Sequence, residues 1–430
     1  MKYTVYTLLL LAFSISLMAQ GPPAKKQTEQ ITIEGATLHV GNGTVIEDSF
    51  ILIKNGKITF AGPITSAPSL PDIGKTILAR GKHVYPGIIA LNTQLGLIEV
   101  GAVRATRDGR EIGQFNPSIR SIVAYNTDSN VTPTIRSNGI LIAQTVPEGN
   151  VMPGQSSMVQ LDAWNWEDAV IAMDNGLHIN WPRVYSRSGS WPNFGPIKPN
   201  GKYTASVAEI ETFFREAKAY GQMSTPKETN LKLESMRPVF AGKRKVFINA
   251  DHAKAIMHAV NLANQFDFDP IIVGGAESHL ILDFLKENKV SVILDETQRL
   301  PRRDENDVDL PYKLPRILHE AGVDFALSMP GFYTVRNLPF QAGQAVGQGL
   351  PYEEAVKAIT LSPARIAGID SFVGTVEKGK DGTLIISEGD VLDYRTAKVT
   401  HAFIQGREID LNNKQTALYR KFTDKYESQE

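Results

Sequence analysis

Two apolar runs in this chain end on groups that could do chemistry. KVFINADH closes on Asp251 and His252, and VSVILDE closes on Asp295 and Glu296. A carboxylate beside an imidazole can relay a proton or share a divalent cation. Each pair also has a plainer role, which the local sequence favours. Asp251 suits the N-cap of a helix that begins at His252. Asp295 and Glu296 have Arg299, Arg302 and Arg303 close by for loop salt bridges. Adjacent side chains of an extended segment point to opposite sides, so Asp295 and Glu296 are not a ready acid/base pair.

The remaining reactive residue types add little. The 8 His include no H-x-H and no H-E-x-x-H, so no dedicated zinc motif is present. His39 and His401 fall in terminal strand patterns, His83 and His319 in structural stretches, and His279 in the helical pattern ESHLILDFL; the orientation of His178 is open. There is no Cys, which removes thiol catalysis, thiolate ligands and disulfides. Gly154-Gln155-Ser156-Ser157-Met158 approaches a nucleophile elbow, but Met158 replaces the closing glycine and the segment precedes a strand. No phosphate-binding G-x-x-x-x-G-K-[ST] occurs. All four Trp fall between Trp164 and Trp191. They suit an aromatic wall over a ligand or, preferably, the packing of an insertion on the main body.

The elements that must position these groups can be read from pattern. The 430 residues are 42% hydrophobic and 21% charged, enough for one large core and a smaller one. A net charge of -1 favours neither nucleic acid nor an anionic membrane surface. Residues 1–19 carry one Lys and then an apolar run shorter than the roughly 20 residues of a spanning helix. They are expected to be a signal peptide, which places the mature chain in the periplasm or outside the cell, off the membrane. A polar linker follows at 20–30. Residues 31–81 and 371–411 show period-two strands with Gly turns and are expected to form a composite β-sandwich from both termini.

Between them, 82–370 alternates continuous apolar strands with amphipathic helices, the pattern of a parallel α/β core. A (β/α)8 TIM-like barrel is the economical fold, with a helical insertion near 205–240. A doubly wound open sheet is the alternative, weakened because no G-x-G-x-x-G follows the first strand. At 412–430, Leu418, Phe422 and Tyr426 recur at helical spacing and predict a terminal helix lying on the body.

Several long stretches resemble metal-dependent amidohydrolases of the imidazolonepropionase-like type. They are ILARGKHVYPGIIALNTQLGL, GILIAQTVPEGNVMPGQSSMVQLD, DLPYKLPRILHEAGVDFALS, RNLPFQAGQAVGQGLPYEEAVKAITLSPARIAGI and VGTVEKGKDGTLIISEGDVLD. The resemblance implies a hydrolase frame whose strand ends hold one or two divalent metals, zinc in the family at large. At the positions it points to, this chain departs from the pattern. The first-strand His-x-His is Asn92-Thr93-Gln94; Asn249 and Gly274 stand where His is expected, and Pro330 falls near the expected Asp. Neutral amides coordinate zinc poorly.

The resemblance therefore implies a homologue without the usual metal ligands and with no expected cofactor. Asn92, Gln94, Asn249, Asp251, His252 and Asp295 are its candidate substrate-binding groups. It would bind a small molecule or act as a scaffold, either as a homodimer or as a heterodimer with an active paralogue. The alternative is an active hydrolase of non-peptide carbon–nitrogen bonds with a rebuilt site.

Overall fold

The computed structural model describes residues 21–68, 74–190, 192–303 and 305–427. The expected signal segment 1–19 and Trp191 lie outside the described residues. The N-terminal period-two runs form β1 (Ile31–His39), β2 (Val45–Lys54), β3 (Lys57–Pro63), β4 (Lys75–Leu78) and β5 (His83–Pro86). Asn55 and Gly56 join β2 to β3 with φ of 52° and 77°. A two-residue hairpin turn needs two left-handed residues, and Asn-Gly supplies them at low cost.

The central strands are β6 (Ile88–Thr93), β7 (Ile140–Thr145), β8 (Gly154–Gln160), β9 (Val170–Asn180), an outlying hairpin of β10 (Tyr185–Ser190) and β11 (Asn193–Pro199), then β12 (Lys245–Ala250), β13 (Pro270–Gly274), β14 (Ser291–Leu294) and β15 (Phe325–Leu327). The chain then returns through β16 (Leu384–Ser387), β17 (Val399–Ile404) and β18 (Arg407–Glu408) to the first sheet, whose order is β18-β17-β16-β5-β1-β2-β3. β4 and β5 share one edge of β1, so the two termini make one branched, hydrogen-bonded sheet. Its own core includes Ile33, Leu38, Ile51, Ile53 and Phe403.

The central sheet runs β6-β7-β8-β9-β12-β13-β14-β15 and is nearly closed. It departs from the expected (β/α)8 repeat. β8 is antiparallel to both β7 and β9, while every other neighbouring pair is parallel. The connection from β8 to β9 holds no more helix than the 4 residues Trp166–Ala169. β6 and β15 do not pair; the Gln94 N–H donates to the Gly331 carbonyl at 3.1 Å near this seam.

The insertion places Ile210, Phe214 and Ala217 of the helix Tyr203–Gly221 into the core, at the spacing of one helical face. The terminal helix Lys414–Glu427 is present, but its apolar stripe does not face the body. Leu418, Phe422 and Tyr426 are exposed, and the attachment is polar: Thr134 Oγ1 donates to Gln415 Oε1 at 2.7 Å, and Asn413 Nδ2 to Ser137 Oγ at 3.0 Å. Residues 21–30 form an irregular arm. Its Ala24 N–H donates to Asp162 Oδ2 at 2.9 Å, and Arg407 Nη1 donates to the Ala24 carbonyl at 3.1 Å. Asp162 is buried and paired with both Arg136 and Arg407.

Candidate ligand-binding cleft

The parallel strands β9, β12, β13 and β14 end on the same side of the barrel, the side where barrel folds build their sites. A cleft of about 840 Å³ opens there. Its floor and walls include Asn180, Asn249, Asp251, His252, Gly274, Asp295 and Arg302, with Trp181 and Tyr185 as aromatic neighbours. The strand ends thus bring together Asn249, Asp251, His252 and Asp295.

Asn92 and Gln94 are not among the cleft's lining groups. Asn92 sits at φ 56°, a left-handed conformation that Asn tolerates better than most residues. Its N–H donates to Gln144 Oε1 at 3.1 Å, so position 92 has a backbone reason for its residue type. Pro330 lies just beyond β15, and Ser328 before it is buried, with its hydroxyl donating to the Leu294 carbonyl at 2.9 Å.

The cleft is an ionic network. Arg302 bridges two carboxylates, with Nε 3.1 Å from Asp251 Oδ2 and Nη2 3.3 Å from Asp295 Oδ2. Burial pushes the Asp295 carboxyl up from its ordinary pKa and neighbouring Asp251 adds to the effect, while Arg299 and Arg302 oppose it. Asp251 is not the cap of the following helix. That helix is Ala253–Phe266, and its Ala253 N–H donates instead to Glu277 Oε2 at 2.9 Å.

Glu277 is a member of this network that pattern reading missed. It also meets His252 Nδ1 at 3.0 Å and Arg303 Nη1 at 3.0 Å. Burial opposes its ionisation but is outweighed by the Ala253 N–H, Arg303 and His252, which hold the carboxyl below its ordinary value. The hairpin β10–β11 leans over this end. Tyr185 packs edge-on against His252 with centroids 5.3 Å apart, and a second hollow of about 690 Å³ lies between the hairpin and Arg302, Arg303 and Glu305.

The Trp residues do not form one wall. Trp181 is buried at the cleft and its Nε1 donates to Tyr203 Oη of the insertion at 3.2 Å. Trp164 is exposed beside the N-terminal arm.

The donor set does not fit the metal centre implied by the resemblance. Asn249 Nδ2 donates to Asn180 Oδ1 at 2.9 Å, Gly274 has no side chain, and both carboxylates are engaged by Arg302. Among the described residues, no group of three or more His, Cys, Asp or Glu converges so as to hold a metal ion.

A second polar network lies inside the barrel wall. Gln144 Nε2 donates to Ser156 Oγ at 3.0 Å, and His178 Nε2 lies 2.8 Å from the same hydroxyl. His178 is fully buried and stacked on Phe247 at 4.9 Å. Burial lowers its pKa to about 3, so the ring is neutral near pH 7. This closes the question of its orientation: it faces packed protein, not the cleft. Ser156 is likewise buried in this network, in the middle of β8 rather than on a strand-to-helix turn.

The chain matches no protein-family model and no curated protein. Its fold is nevertheless known. An amidohydrolase from Thermotoga maritima MSB8 superposes with a TM-score of 0.76 at 22% identity, covering 88% of this chain and 99% of the other. A Xaa-Pro dipeptidase with methionine bound in its active site gives 0.54 at 15%, covering 89% and 100%. Phenylurea hydrolase B gives 0.57 at 13%, covering 89% and 97%. The protein has the amidohydrolase fold, and these similarities establish architecture rather than chemistry.

Proposed function

We propose that this is an exported amidohydrolase-fold protein that binds a small polar molecule in the cleft and does not carry out metal-dependent hydrolysis. The observation that carries this reading is the Asp251–Arg302–Asp295 bridge, which engages the two carboxylates that line the cleft among the described residues and leaves amides and a glycine at the adjoining strand ends. The N-terminal segment supports export. The family resemblance supports dimerisation, with an active paralogue as the preferred partner, and light scattering on the pure chain and on the mixed pair tests that part.

The central test is metal content together with turnover. Purified, dialysed protein is expected to hold far less than about one zinc per chain. It is also expected to leave Xaa-Pro dipeptides and phenylureas intact with or without added zinc. A full zinc equivalent, or hydrolysis abolished by a chelator, overturns the proposal.

One observation favours the second reading, a hydrolase of non-peptide carbon–nitrogen bonds with a rebuilt site. The Asp295 carboxyl is raised by burial and by Asp251, which suits a general acid. Turnover of the phenylurea that disappears in Asp295→Asn would establish it.

A further inference from the structure

We propose that Arg302 is a tethered cation standing in the place of a metal, so that the native cleft and divalent-metal binding exclude one another. The inference rests on the reading of the cleft as a site without metal and adds a cause for it. Asp251 follows β12, Asp295 follows β14, and Gly274 ends the strand between them. Two carboxylates at such a mouth repel one another and call for a cation. Arg302 supplies it, using Nε for one and Nη2 for the other.

The same arrangement shuts out a ligand from the middle strand. Gly274 has φ 95°, and a Cβ built there would stand 2.7 Å from Asp251 Oδ1. That oxygen also accepts from the Ala276 N–H at 3.4 Å. With Asp251 turned toward Arg302, a side chain at position 274 would have to displace that carboxylate and also adopt a backbone conformation that favours glycine. Asn249 is the third adjoining position, and its amide nitrogen is spent on Asn180. Three neighbouring strand ends are thus arranged around one guanidinium. Nearly half of the Arg302 side chain stays exposed to the cleft, at 45%.

Removing the guanidinium should free a pair of hard oxygen donors, Asp251 and Asp295, which with water suits manganese(II) better than a softer ion. The test is calorimetric titration of manganese(II) into full-length wild type, Arg302→Met and Arg302→Lys. Lysine keeps the charge but has one nitrogen, which cannot span both carboxylates as the fork does.

The expected order of affinity is Met, then Lys, then wild type, with Met at least about tenfold tighter than wild type. Asp295→Asn added to Arg302→Met should erase the gain. Equal affinities, or tight binding by the wild type, overturn the proposal. If Arg302→Met does not fold, Arg302→Lys decides, because it preserves the charge balance: a gain over wild type that Asp295→Asn removes supports the proposal, and no gain overturns it. Failure here leaves the hydrolysis assays on the wild type unaffected, so the two proposals fail separately.

Discussion

At the mouth of the barrel, charge faces charge: Arg302 between Asp251 and Asp295, Glu277 between His252 and Arg303. Inside the wall, between β6 and β9, a chain of neutral groups runs from the Asn92 N–H through Gln144 and Ser156 to His178. Both networks are polar and both cross several strands. Water makes the difference. At the mouth, solvent shares in stabilising ions, so carboxylates and guanidinium groups are tolerated and can rearrange. In the dry wall an ion would lose its hydration, so the groups are uncharged and each depends on a fixed partner. The mouth is suited to meet ligands, and the wall to hold the strands that make the mouth.

The comparison breaks if the wall proves tolerant. Gln144→Leu removes the acceptor of the Asn92 N–H and a partner of Ser156 together. It should cost about 2–4 kcal/mol by urea unfolding, because two buried groups lose their bonds. A change below about 0.5 kcal/mol would mean that the wall adjusts as easily as the mouth.

Acid tests the same contrast. The His178 pKa is lowered on folding, so between about pH 6.5 and pH 3 the unfolded chain holds a proton that the folded chain does not. Stability should therefore fall as pH drops through that window, by up to about 1.4 kcal/mol per pH unit from this group. His178→Gln should flatten the curve relative to wild type across pH 6 to 4 in unfolding titrations.

At the mouth, Glu277→Gln should cost about 1 kcal/mol at pH 7, because it weakens a helix cap and two ionic partners. The folded carboxyl is depressed, so that contribution is present above its unfolded pKa and disappears as pH falls through the folded one. The deficit should shrink toward acid, the reverse of an unfolding curve parallel to the wild type's. Arg302→Met should change stability least, by under about 1 kcal/mol in thermal melts, since its partly exposed pairs are screened by water.

These contrasts also mark what sequence can convey. Asn55-Gly56 announces its turn because the turn's backbone demands those residues. The apolar runs of β12, β13 and β14 announce buried strands. The reversal of β8 is silent: GQSSMVQ is wholly buried although mostly polar, and its partners are scattered, Gln144 and His178 for Ser156, the Pro117 carbonyl for Gln155, Asp174 for Ser157 and Arg407 for Gln160. The cap of the helix Ala253–Phe266 is equally silent, because Glu277 reaches it from 24 residues away. Asp251 looked like a local cap and proved to have a distant partner, Arg302. Asn92 and Gln94 carried the right polarity, yet a left-handed backbone and a bond across the seam direct that strand end elsewhere. Local chemistry is legible; partners drawn from different strands are not.

The arm at Ala24 has a consequence in time. Its two backbone bonds require Asp162 and Arg407, which lie 138 and 383 residues further along the chain. A chain made or exported from its N-terminus cannot fasten this clasp until nearly all of it has emerged. Until then the arm around Ala24 hangs free, open to a protease or a chaperone. The clasp therefore reports completion: only a molecule finished as far as β18 can tuck in its own beginning.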